Sequence, residues 1–457
     1  MKRLTETLLL AACLAFTLPA TATKSAQKPQ AAAQGEASAQ YDRGVAYYEG
    51  RGVPQDFTHA RQWFEKAAAQ GHAGAQNKLG VMYYEGQGVR QDHEQARRWF
   101  EKAAAQGSAA AQIVLAGMHY EGQGVPQDYG QARHWFEKAA AQGNANAQFV
   151  LGLLYDQGRG VRQNSAQAWH WFKKAAAQGH AQAQFIFGLM HEKGHGVRQS
   201  EELARHWFEK AAMQGDVHAQ IRLGLMYAQG QGAPQDDVQA RRWLREAAAQ
   251  GVAAAQSVLA SMYAQGRGGP QDHEQARHWY EKAAALGDAG GQYNLGVMCR
   301  DGQSVARDYA KARGWFEKAA AQGHTEAQNN LGSMYHDGQG VAQDYAKARE
   351  WWEKAAAQGE AEAQYNLGTM YYHGQGIAQD YVKARKWFEK AAAQGLAAAQ
   401  YNLGLMYYHG QGVVKDYVKA REWWEKAAAQ GSADAQYNFS FMYHDGRGGA
   451  RDYAKAR

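Results

Sequence analysis

Apolar residues return along this chain at two spacings, both helical. Ala399, Leu403, Met406 and Tyr407 fall at i, i+4, i+7 and i+8, while Ala420, Trp423, Trp424 and Ala427 fall at i, i+3, i+4 and i+7. Each set makes one apolar stripe on a helix of 3.6 residues per turn. Helix punctuation fills the polar stretch between them. Gly410 stands where the first helix would end in a left-handed residue, Gly412 shapes the turn, and Asp416 stands where the second helix wants an N-cap. Gly431 closes the second helix. Gly404 interrupts the first helix from inside, where glycine costs roughly 1 kcal/mol against alanine. Such a glycine, if repeated, predicts that another backbone passes close by.

The pattern is periodic over most of the chain. Glycines at 35, 71, 107 and onward to 431 are each 36 residues apart, with a glutamine five residues after each, from Gln40 to Gln436. Nine copies keep the glycine of Gly404, two have Ala116 and Ala260 there, and the last has Ser440. Eleven copies are complete and the twelfth stops at Arg457. Neither helix can hide its stripe alone, but stacked pairs can, with each pair contacting only its neighbours. The expected fold is all-α: an α/α superhelical solenoid of 36-residue helix-turn-helix repeats. The strings A-x-A-Q-Y-N-L-G-x-M-Y-x-x-G-x-G and A-x-x-W-F-x-K-A-A, at this repeat length, resemble the Sel-1-like repeat family, relatives of the tetratricopeptide repeats. The resemblance covers residues 35–457. It implies a non-catalytic scaffold that mediates protein–protein interaction through the groove of the array.

The N-terminus reads differently. Lys2 and Arg3 precede the apolar run "LLLAACLAFTL", which is too short to span a bilayer, and Ala20-Thr21-Ala22 offers a cleavage site. Residues 1–22 are expected to be a signal peptide cleaved near Ala22, residues 23–34 a flexible linker, and residues 35–457 the array. The mature chain would be periplasmic or secreted. Leu10-Ala11-Ala12-Cys13 also resembles a lipobox, which would put a lipid anchor on Cys13; the apolar residues that follow favour cleavage near Ala22. No second segment reaches membrane length. With 14 Trp and 26 Tyr the chain is not a disordered low-complexity one. Beyond the leader only Cys299 remains, so no internal disulfide can form.

Candidate chemistry is sparse. "HEKGH", His191 to His195, fits the zinc-peptidase pattern H-E-x-x-H. In the repeat register, however, Gly194 is the helix-ending glycine and His195 belongs to the turn, so the two histidines do not share a helix face. His119 and Cys299 occupy the same tyrosine address as His191, several repeats apart. Ser25-Ala26-Gln27-Lys28 fits the S-x-x-K of β-lactam enzymes, without partner motifs. A secreted hydrolase, β-lactamase-like or zinc peptidase, is the alternative reading. No metal and no cofactor is expected. The net charge of +6 is mild for 457 residues, and Arg, Glu and Lys alternate in sign along the second helices, so a nucleic-acid partner is not expected.

The tetratricopeptide likeness implies a groove lined by the residue after each glutamine and by the two residues before each turn glycine. Both ends of the array are rich in Tyr and His there and the middle is bland. The expected partner-binding residues are Tyr293, Tyr365, Tyr401 and Tyr437 after the glutamines, with Asn366 and Asn402 beside them, and Tyr372-His373 and Tyr408-His409 at the helix ends. They would form a ladder against an extended peptide or a partner protein. The competing expectation is that the tyrosines pack between repeats. The twelfth copy lacks its second-helix aromatic pair, so Phe441 and Met442 are expected to be partly uncovered.

Overall fold

A computed structural model describes residues 31–452, with side chains from Glu36 onward. The leader, most of the linker, Cys13 and the Ser25–Lys28 motif lie outside the described residues. Among the described residues there are twenty-three helices, from Ala31–Glu49 to Ala433–Asp445, and no strand. The first helix starts at Ala31, ahead of the Gly35 that opens the repeat register. None of these helices is long and apolar enough to cross a membrane.

The chain forms two compact units, the first ending at Asp236 and the second starting at Asp237. In the first, eleven helices alternate between first and second members of a pair. In the second, twelve do the same, beginning with the second helix Asp237–Ala249. Within each unit, every second helix packs on the first helix of the next repeat and, apart from Asp237–Ala249, on that of its own. Each unit is therefore an all-α solenoid.

Cap chemistry sets the helix limits. Asp92 accepts from the amides of Glu94 and Gln95, both at 3.0 Å, to start a second helix. Gly86, at φ 74°, ends the first helix before it. Asp416 and Gly410 repeat the arrangement in the second unit, as expected from the sequence.

The core lies at the junctions. Ala384, Phe388, Ala391 and Ala392 of one second helix close over Ala399, Leu403 and Met406 of the next first helix. The two adjacent aromatics of a second helix separate. Trp424 is buried beneath its own pair, whereas Trp423 is only half-buried and packs back against the junction with the preceding repeat.

Gly404 departs from expectation. What passes close is an aromatic ring, not a backbone: a Cβ at Gly404 would stand 2.3 Å from Trp424 Nε1, and one at Gly368 would stand 2.6 Å from Phe388. The close backbone approach belongs instead to the second turn glycine. At Gly412 (φ 64°) a Cβ would lie 2.5 Å from the carbonyl of Tyr381, in the second helix of the repeat before.

Buried glutamines tie the junctions. Gln76 donates to the carbonyl of Ala68 at 3.4 Å and accepts from Gln106 at 2.7 Å. Gln328 and Gln400 have the same partners at the same offsets. A buried amide satisfied on both sides carries little penalty, whereas an orphaned one costs about 1–3 kcal/mol. One copy breaks the pair. Leu286 stands where the donor glutamine belongs, and Gln256 Oε1 is buried with no partner.

Candidate interaction surface

Tyr365 begins its role as a packing residue. Its ring rests 5.7 Å from Phe388, and Tyr293 sits 5.8 Å from Phe316 in the same way. Tyr293 also stacks on His324, the N-cap of the next first helix, at 4.6 Å and 20°. In the first unit the same address holds Ile113, Phe149 and Phe185, all buried. Tyr293, Tyr365 and Tyr401 are half-buried, and burial raises the phenol pKa of Tyr293 and Tyr401. Tyr437 stands apart, at 72% exposed.

The asparagines turn toward the preceding repeat. Asn366 Nδ2 donates to Asn329 Oδ1 at 3.1 Å, and Asn438 Nδ2 to Tyr401 Oη at 3.4 Å. Asn402, at the same address, is half-buried. The expected ladder therefore exists, but part of its hydrogen bonding runs between copies of the chain itself.

The helix-end tyrosines are clamps. Tyr372 donates to Gln411 Oε1 at 2.7 Å, reaching the turn of the following repeat. Tyr48 bonds Gln87 at 2.6 Å, and Arg447 bonds Tyr408 Oη in the same manner. Each contact spans 39 residues. Sequence reasoning missed this clamp, although its signal was present: the residue between the two turn glycines is Gln or Arg wherever the clamp forms. Burial raises the phenol pKa of Tyr372. His373 and His409 remain exposed, each set edge-on to its tyrosine at 5.0 Å and 81°. Of the ten residues expected to line a groove, His373, His409 and Tyr437 are the exposed ones. The other seven are half-buried among their neighbours.

The end of the array also departs from expectation. Phe441 is 40% exposed, but Met442 is buried at 1%. Met442 points back to Tyr407, Ala420 and Trp424, so its cover comes from the repeat before, not from its own.

At HEKGH the helix Ala181–Lys193 stops before Gly194, at φ 70°. His191 is buried, edge-on to Phe187 at 4.9 Å and 86°, and burial lowers its pKa. His195 lies in the turn, 39 residues after Asp156. Its charge pulls the Asp156 carboxyl down against the larger effect of burial, which raises it. These two residues stand at the clamp address, and His195 lies past the left-handed Gly194, off the helix that carries His191. Among the described residues no three of His, Cys, Asp and Glu are grouped to hold a metal ion. Cys299 is buried, which pushes its thiol pKa up.

The comparisons agree with this architecture. The Sel1 repeat family model matches twelve consecutive segments, from 37–72 to 433–457. Among solved structures, the chain is similar to the crystal structure of c5321, a protective antigen present in uropathogenic Escherichia coli strains displaying an SLR fold. The two share 40% identity over 87% of this chain and 85% of that one, with a TM-score of 0.81. A Sel1 repeat protein from Oxalobacter formigenes is 32% identical over 79% of this chain and 99% of that one, with a TM-score of 0.53. No curated protein matches.

Proposed function

The chain belongs to the Sel1 repeat family, and from that premise we propose that it is an exported scaffold, without catalytic function, that holds an extended peptide or partner protein against the first helices of its second unit. Sel1 repeat proteins generally mediate protein–protein interaction, and their helical scaffold is typically non-catalytic. The observation that carries the reading is the repeated pair of exposed imidazoles, His373 and His409, each presented edge-on by a clamped tyrosine in successive copies. A tyrosine held by its own hydroxyl loses little entropy when a ligand covers its ring, and such rigid aromatics are common anchors at interfaces. Export is supported by the leader-like segment 1–22 and agrees with the description of the E. coli relative as a protective antigen.

A displayed peptide library selected on the mature chain tests this. Enriched peptides should bind the wild type and lose about tenfold or more on H373A/H409A, while the melting curve stays in place. The groove reading fails if every enriched peptide binds both proteins equally.

A further inference from the structure

The outer side of the second helices carries a row that the groove reading does not use. The residue before the first aromatic of the second helix is exposed in every complete repeat but the one with Gly314. In the first unit it is His134, His170 and His206 in successive copies, each edge-on to its tryptophan at 5.4–5.8 Å. Four residues on, and so beside it on the helix surface, stand Lys138, Lys174 and Lys210. Each of these ammonium groups lies 4.4–4.8 Å over the same tryptophan.

The acids on these helices are already engaged. Glu137 pairs with Arg133 at 3.7 Å, and Glu209 with Arg205. Among the described residues no carboxylate is within ion-pair distance of the three lysines. Repeat four goes further. Its second helix, Ser165–Ala177, contains no acidic residue. Trp169 and Lys173 replace the Arg–Glu pair of its neighbours, and Lys173 lies 4.8 Å over the Trp169 ring. At its repeat-two end the row opens on a hollow lined by Gln95, Arg98, Trp99, Glu101, Lys102 and Ala105. In the second unit the row's address holds Arg242, His278, Gly314, Glu350, Lys386 and Glu422, so acidic residues enter the row only from Glu350 on.

We propose that this basic row of the first unit, centred on Ser165–Ala177, is a docking surface for an acidic, extended polypeptide segment. At Ser165–Ala177 the charge is single-signed, and on either side the row's lysines recur once per helix layer, which fits a linear chain of carboxylates. Single-stranded nucleic acid needs open aromatic faces for base stacking, and here the faces are capped by lysine. A lipid surface needs apolar side chains to insert; among the described residues of the first unit the exposed large apolar ones are Leu203 and Met213. The surface is separate from the one proposed above and does not depend on it.

The test is fluorescence anisotropy of the full chain with a labelled oligoglutamate of about 12 residues. Extended, it reaches roughly 40 Å, the span of four helix layers at about 10 Å each. Binding should weaken at least about tenfold as ionic strength rises from about 0.01 M to about 0.15 M, where the Debye length drops from about 30 Å to about 8 Å. K173E/K174E should lose about tenfold or more. W169R/K173E, which restores the neighbours' ion pair and is the variant least at risk of misfolding, should lose less than that. K354E, at the same address in the second unit, should stay within about twofold. No binding at low salt, equal losses for K354E and K173E/K174E, or tighter binding of an oligothymidylate of the same length would each overturn the proposal.

Discussion

The two units carry the same packing and differ in what stretches of their surface present. In the first, three successive residues at the address after the glutamine, Ile113, Phe149 and Phe185, are apolar and hidden, and the outer row from Arg98 to His206 carries no acid. In the second, that same address is Ser257, Asn329 or a tyrosine, and the outer row runs from Arg242 and His278 to a mixed stretch of Glu350, Lys386 and Glu422. What is kept in nearly every copy is whatever holds the helices in place: the ring against the helical glycine, with Leu244 the exception, the glutamine pair, broken at Leu286, and the N-cap, where Asn164 and Ser200 stand in for Asp. Positions free of that duty have diverged, so the differences between copies locate function better than the consensus does.

The first way to break the comparison is to cut into what is held in common. Phe172 and Phe388 are buried to 1% or less in equivalent places. F172A and F388A should each destabilise their unit by about 3–5 kcal/mol, read as local opening by hydrogen exchange because such arrays do not open as one block. A large inequality would show that the cores are not equivalent.

Acid should separate the units. His180 caps its helix by accepting the Ala183 amide on Nδ1 at 3.2 Å and stacks on Phe149 at 4.6 Å, and burial lowers its pKa to about 4. His72, likewise in the first unit, caps Ala75 in the same way and is lowered by the same cause. A neutral imidazole is required to accept. The unfolded chain takes up the proton first, so stability holds above about pH 6.5, falls as pH drops from there toward 4, and levels off below. The loss at His180 is up to roughly 3 kcal/mol. H180N keeps a cap like that of Asn144, which accepts from Ala147 at 2.9 Å, and should flatten this part of the acid profile. In the second unit His324 makes no side-chain cap bond, so no cap there depends on a neutral imidazole.

The smallest effects sharpen the picture within the second unit. Ser304 holds φ 59° at an address where neighbouring copies have glycine, and Leu286 leaves Gln256 Oε1 alone. S304G and L286Q should each raise stability by about 1 kcal/mol, additively because their partners differ. Thermal melts of the two single variants and the double check both claims.

Much of the fold was legible from single copies. The stripes, the Asp caps and the left-handed glycines follow from local geometry, which one repeat contains in full. The rest lies between copies. Helical periodicity puts Trp423 and Trp424 on one apolar face, but which repeat each ring touches is a matter of stacking, not of period. The same gap hid the ring over Gly404, the cover on Met442 and the clamp from Tyr372 to Gln411. The groove was read from an analogy of position. That analogy placed His373, His409 and Tyr437 in the open, yet it could not reveal that Asn366 already answers to Asn329.

The glutamine pair also acts as a ruler. Gln106 reaches Gln76 across 30 residues, and Gln76 reaches back eight to Ala68. Inserting a single residue in a turn would rotate one of these amides off its mark and leave two others stranded in the core. Whole copies can be gained or lost without disturbing any bond of this set, because each new copy brings its own pair. Genetic change in such a gene should therefore come in steps of 36 codons, by recombination between copies, while small frame-preserving edits are purged. The uninterrupted spacing of glycines from 35 to 431 is the trace such a filter would leave.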